Sequence, residues 1–374
     1  MKRNFRPAAA IIAAVLSVLL YGSFGYCQDT AEISIKIKGS VKKEIALSET
    51  DITKLAMTEK RVKVIGKTGE YLGSYVMKSV NLADLLDMAG VSKKSDDGFD
   101  RELDMYIVVR GKDGRSALFS YGEIFLDREK GNVVITASAR QMFPHKHSDL
   151  APMGFDMQKF IIAKDSAKID FKSCVACHNG KEQSAVYFPS GFCLFSSMDA
   201  TGGRFIEDVT AIEVCQVSRN IEKEKLSKNK DEMWIEKPIL NLFDKSTSEI
   251  LSDNFKNFAG VSCFSNTVGL GKGFHGNHNY EGKNFAEILK PSCEGKIDIS
   301  KMYVLITAAD GYRCLFSGGE IFDSIRGANL LLVETEDGSP MKKGEGKYKA
   351  VIKEDFFVDR AIRSVSEIYC GTVQ

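Results

Sequence analysis

Asp113-Gly-Arg-Ser-Ala-Leu-Phe-Ser-Tyr-Gly-Glu-Ile-Phe125 returns later in the chain as Asp310-Gly-Tyr-Arg-Cys-Leu-Phe-Ser-Gly-Gly-Glu-Ile-Phe322. Working outward, Met105-Tyr-Ile-Val-Val109 matches Met302-Tyr-Val-Leu-Ile306, and Asn81-Leu-Ala-Asp-Leu-Leu86 matches Asn284-Phe-Ala-Glu-Ile-Leu289. Tyr106 to Phe125 and Tyr303 to Phe322 are both 19 residues apart. The copies also close alike, Arg204–Val214 resembling Phe357–Ile368. A period near two hundred residues is a duplicated domain rather than a solenoid repeat.

Each copy reads as α+β. Asn-Leu-Ala-Asp-Leu-Leu has apolar residues at helical spacing behind a cap-type asparagine. Met-Tyr-Ile-Val-Val is a short buried strand, Asp-Gly is a hairpin turn, and Leu-Phe-Ser is the return strand. Gly-Glu-Ile-Phe opens the next element. The first copy is longer because it carries an insertion, about 145–190, between its late strands, and long insertions in compact domains are functional or disordered. The expected organisation is a leader over 1–27, a first domain over 28–217, a charged linker over 218–231, and a second domain over 232–374.

This order of elements resembles the molybdopterin-binding domain of the sulfite oxidase family. The resemblance implies two tandem copies of that fold, with mixed β-sheets and short helices. Its sharpest piece is Val261-Ser-Cys-Phe-Ser-Asn-Thr-Val-Gly269. Many bacterial members have Cys-x-Ser-Asn-x-x-Gly-Gly here, which implies Cys263 as a molybdenum ligand and catalytic residue, with Asn266 beside it in the cofactor site. In the first copy the matching position is Val64. Two departures bear on the cofactor. Asn279-Tyr-Glu-Gly282 stands where the family has an Arg-Trp-x-Gly-type segment. Glu345-Gly-Lys-Tyr-Lys349 stands where it has His-Gly-x-Pro-x-Arg, leaving Lys347 or Lys349 for the pterin phosphate. The residue-level alternative for Cys263 is a disulfide, with Cys293 as a candidate partner, or a buried thiol.

Within the insertion lies Cys174-Val-Ala-Cys-His178, the spacing of covalent haem c attachment. Two thiols two residues apart add to the vinyl groups of one porphyrin, and the adjacent imidazole of His178 becomes the proximal iron ligand. A structural zinc site needs a second ligand pair at similar spacing, which the sequence lacks. A thioredoxin-type pair would open a helix, whereas polar residues flank this one. His145 or His147 is the first choice for the distal ligand and Met153 the runner-up. An open iron is the third option, and a solvated loop is the plain reading of His-x-His. His275 and His278 read as turn residues or as the lining of a vestigial pterin pocket.

Lys2, Arg3 and Arg6 precede an apolar run from Ala8 to Leu20, and Ser23-Phe-Gly25 offers a small-x-small cleavage site. This is the form of a secretory leader and points to a periplasmic protein. The run is too short for a comfortable bilayer span, so the mature chain is expected to have none. With 44% hydrophobic and 27% charged residues, the composition is that of a globular protein. A net charge of +1 points to no nucleic-acid partner. Nine cysteines are many for this length; setting aside Cys27, Cys174 and Cys177 leaves six whose pairing is open. The expected function is that of a periplasmic monohaem carrier exchanging electrons with a partner protein. The alternative is a molybdopterin-dependent oxidoreductase with the haem as relay.

Overall fold

The computed structural model describes residues 34–142, 191–217, 233–247 and 255–373, apart from positions 56, 70, 95–97, 130, 244, 272, 294, 296, 326–329 and 354. The leader, the 218–231 linker, and His145, His147, Met153, Cys174, Cys177 and His178 lie outside the described residues. Ser34–Gln374 forms one compact unit.

The first repeat runs β1 (Ser34–Gly39), β2 (Ile45–Ser48), α1 (Glu49–Thr53), β3 (Thr58–Ile65), β4 (Tyr71–Asn81), α2 (Leu82–Ala89), β5 (Met105–Gly111), β6 (Ser116–Ser120), α3 (Tyr121–Phe125), β7 (Val133–Met142), β8 (Cys193–Ser196) and β9 (Val209–Gln216). The second runs β10 (Ile239–Leu242), β11 (Lys245–Thr247), β12 (Gly260–Gly269), β13 (Gly273–Asn284), α4 (Phe285–Cys293), β14 (Met302–Ala308), β15 (Arg313–Ser317), α5 (Gly318–Phe322), β16 (Leu330–Glu336), β17 (Ser339–Pro340), β18 (Lys349–Ile352) and β19 (Val365–Thr372).

Each repeat builds a mixed five-stranded sheet, ordered β2-β1-β9-β5-β6 and β11-β10-β19-β14-β15. The pairs β1–β9 and β10–β19 are parallel and the rest antiparallel. A second antiparallel sheet in each runs β3-β4-β7-β8 or β12-β13-β16, with β17 and β18 both on β16. Even the irregularities repeat. The register shifts at Lys78/Ser79 and again at Glu281/Gly282, and at Arg110/Gly111 and again at Thr307/Ala308. Asp208 and Ser364 both take left-handed backbone, at φ 47° and 51°, just before β9 and β19.

The helices are short and locally specified. Ser120 and Ser317 cap α3 and α5, and the glutamate three residues on returns to each serine's backbone, so both helices start with a capping box. Asn284 accepts from the Ala286 and Glu287 amides at the start of α4. Asn81 departs from the expected cap: it occupies the cap position of α2, but its side chain donates to Asp84 Oδ2 at 2.9 Å.

Alternating apolar residues of both sheets and the buried face of α2 or α4 form the main core of each repeat, and a smaller apolar cluster lies on the opposite face of each second sheet. Phe99, Leu103 and Leu126 of the first repeat pack in the second repeat's core. Between the five-stranded sheets, Leu118, Leu305, Leu315 and Tyr369 form a further cluster. There Tyr106 stacks on its counterpart Tyr303, 5.7 Å between centroids and 8° from parallel.

The repeated Phe-Ser-x-Gly-Glu motif lies at this junction. Arg204 binds Glu123 in a fork, at 2.7 and 3.1 Å, and pairs with Asp199. Arg360 pairs in the same way with Glu320 and Asp355. The serines cross over: Ser317 Oγ donates to Glu123 at 2.7 Å, and Ser120 Oγ donates to Glu320 at 2.9 Å. A Cβ on Gly122 would fall 2.1 Å from Arg360 Cδ, and one on Gly319 would fall 2.2 Å from Arg204 Nε. The glycines of the motif therefore admit the arginine of the opposite repeat. This geometry also corrects the expected end-to-end match. Arg360, not Phe357, is the counterpart of Arg204, and the signal in the sequence is an aspartate five residues before each arginine.

Both arginines are about 98% or more buried. Removing one leaves buried carboxylates without a counter-charge, so Arg204→Ala is expected to cost about 3–5 kcal/mol in chemical denaturation. A loss below about 1 kcal/mol would mean that the junction does not depend on this pair. Burial pushes Glu320 up to about 7, Arg360 opposing the shift and Glu123 adding to it. Burial likewise pushes Asp355 up to about 6. The folded chain then holds more protons than the unfolded chain from about pH 4 to pH 7, so these groups' contribution to stability falls as pH rises through that window. Urea midpoints at pH 5 and pH 7.5 should show the decline, and Glu320→Gln should flatten it.

Candidate functional site

Cys263 and Asn266 both lie on β12, where side chains alternate between faces. Three positions apart, they point to opposite sides. Cys263 is buried with Tyr280, Leu331, Val333 and Val351. Asn266 is exposed and donates to Asn277 Oδ1 across the hairpin at 2.9 Å. Burial pushes the Cys263 thiol up, with Lys353 opposing.

The match to the first repeat also needs correction. Tyr280 faces Cys263 across β12 and β13, and Met77 faces Lys60 across β3 and β4. The offset is constant (284 − 81, 280 − 77 and 263 − 60 are all 203), so Lys60 rather than Val64 is the counterpart of Cys263. The Lys60 ammonium is carried to the Gly131 carbonyl.

An open cleft lies at the end of β13 and β16, lined by Thr267, His275, His278, Tyr280, Glu336, Asp337, Lys342, Glu345, Lys349 and Arg363. The structure thus brings His275 and His278 to one cleft, and Cys263 is not among its lining residues. Asp337 has a left-handed backbone, φ 53°, that turns its carboxylate back on the strand. It accepts from the Asn279 amide at 2.9 Å and meets His278 Nδ1 at 2.9 Å. These two hydrogen bonds hold its carboxyl below the usual range. Glu336 Oε1 lies 3.0 Å from the same imidazole nitrogen. Lys349, buried over the Tyr280 ring, bonds the Tyr280 hydroxyl at 3.2 Å and Glu336 at 3.3 Å.

The ligand atoms of His278, Glu336 and Asp337 all lie within 4.8 Å of one another. Chemically, one imidazole nitrogen and two carboxylate oxygens could hold a divalent cation. With a proton on Nδ1, the same atoms are a hydrogen-bonded bridge that fastens β13 to the end of β16.

The residues present do not fit a molybdopterin. The thiol offered as metal ligand is packed among apolar side chains, and the asparagine offered beside it faces the other way. Three of the cations that could serve a pterin phosphate are already committed, and Lys342 also lines the cleft. Lys349 is on Glu336, Arg363 meets Glu345 at 3.0 Å, and Lys347 pairs with Glu236. A further concavity, at the buried Arg–Glu junction, encloses about 30 Å³, room for little more than one water.

No family model matches the chain, and no curated protein matches it. Among solved structures, the sulfane dehydrogenase SoxCD from Paracoccus pantotrophus aligns over 91% of this chain and 78% of its own, at 10% identity and a TM-score of 0.28.

A thiol so placed is a poor nucleophile. In the native protein, Cys263 is expected to alkylate with iodoacetamide at least about tenfold more slowly than in the urea-unfolded protein. Equal rates, read by peptide mass spectrometry, would place the thiol in open solvent instead.

Proposed function

We propose that the protein is an exported single-haem c-type redox protein that passes electrons to or from a partner protein. The observation that carries this reading is Cys174-Val-Ala-Cys-His178. Two thiols at this spacing suit two thioether bonds, and the next residue supplies an imidazole for the iron. The haem, when bound, supplies a one-electron iron couple. The chain's residues anchor it (Cys174 and Cys177), hold the iron from one side (His178), and tune it through a distal group, for which His145 or His147 is preferred over Met153.

The scaffold supports this division of labour. Strands β7 and β8 are antiparallel neighbours, paired from Val133↔Ser196 to Thr136↔Cys193. Fifty residues (143–192) separate the two strands in sequence, and β8 pairs with the first four residues of β7. In the second repeat the same connection, between β16 and β18, takes twelve residues (337–348). The sheet closes without the extra length, so the motif segment is an addition to a complete scaffold. Export fits the chemistry too, because the leader-like N-terminus directs the thiols to the side of the membrane where haem c is attached. No helix among the described residues is long and apolar enough to cross a membrane.

The test is the cofactor content of the full chain, expressed with its own N-terminus in a host that matures haem c. A pyridine haemochrome spectrum and elemental analysis on one sample should give one haem c per chain and no stoichiometric molybdenum. Cys174→Ser with Cys177→Ser should abolish covalent haem while leaving the fold intact. Absence of covalent haem from the unaltered chain would overturn the reading. Stoichiometric molybdenum would replace it with an oxidoreductase using Cys263.

A further inference from the structure

We propose that Cys293 and Cys370 form a disulfide in the oxidised protein, pinning the last turn of α4 to β19, the central strand of the second repeat's five-stranded sheet. Both side chains are buried, 1% and 0% exposed, in the same apolar core. Both are free thiols in this structure, and Cys293 is the hydrogen-bonding neighbour that, together with burial, pushes the Cys370 thiol up. Cys370 lies in register between Leu242 of β10 and Val304 of β14, so its side chain is fixed by two neighbouring strands.

Of the other described thiols, only Cys314 shares this core, and its sulfur has another partner. Cys193 and Cys263 belong to separate apolar clusters, Cys215 neighbours Tyr106, and Cys314 donates to the Asp359 carbonyl at 3.9 Å.

The reaction is thiol–disulfide exchange. The two thiols lose two protons and two electrons and gain one S–S bond. An acceptor disulfide, from a dithiol oxidoreductase or oxidised glutathione, loses its S–S bond and takes up both as two thiols. The bridge closes a loop spanning 77 positions (370 − 293) that includes β14 to β18, restricting the unfolded chain more than the folded one. The inference stands apart from the haem reading, since neither cysteine belongs to the 174–178 segment.

To test it, the full-length chain is treated with oxidised glutathione, quenched with N-ethylmaleimide, and digested without reduction. The expected product is a cross-linked peptide pair containing Cys293 and Cys370 that separates on reduction with the uptake of two hydrogens. Reductant should lower the thermal midpoint of the oxidised protein by about 4–10 °C. It should leave the Cys293→Ser/Cys370→Ser variant unmoved. Maleimide on both cysteines of the oxidant-treated protein, or either one joined to a different cysteine, would overturn the proposal.

Discussion

Two buried arginines hold this molecule together. Arg204 and Arg360 each gather a glutamate and an aspartate from their own repeat, at a junction where the capping serine of the other repeat also bonds that glutamate. Charges this deeply placed are tolerated only when every partner is present. Helix capping, ion pairing and repeat-to-repeat contact therefore share the same atoms. Ser120 cannot serve α3 and Glu320 unless the second repeat is in place, and Ser317 mirrors it. The two halves are folded as one unit because each completes the other's polar network.

That mutual dependence leaves the outer edges free to diverge. The β7–β8 and β16–β18 connections occupy the same place in their sheets, yet one is about four times the length of the other. Strand pairing on both sides of the long connection is specified by buried apolar residues such as Val134, Ile135 and Leu194. The added segment contributes chain without altering register, which makes the first repeat a host for a cofactor-bearing insertion under the function proposed here.

The second repeat diverged differently. Its β12–β13 hairpin carries Cys263 on the buried face, and a cleft opens beyond it with lysines and an arginine matched against carboxylates. Such internal neutralisation weakens the pull of this cleft on an anionic cofactor. The electrostatics of this cleft serve the packing of β13 against β16, and the redox chemistry proposed for the protein falls to the other repeat.

The duplication, the strand–turn–strand order and the helices behind Asn81 and Asn284 were legible because they depend on local chemistry: Asp-Gly turns, short apolar runs, and apolar residues at helical spacing behind an asparagine. The Cys174-Val-Ala-Cys-His178 spacing, on which the proposed haem attachment rests, is local in the same way, confined to five consecutive residues. The role of Gly122 and Gly319 was not legible, because it depends on arginines of the opposite repeat, far away in the chain. The alignment of Cys263 with Val64 failed because strand register is set by cross-strand partners and bulges, which show Lys60 at that position. Asn266 next to Cys263 suggested one site, and strand alternation put them on opposite faces. Local sequence determined which elements form; only the tertiary structure decided which side chains meet, because burial, charge neutralisation and strand register are properties of contacts between distant segments.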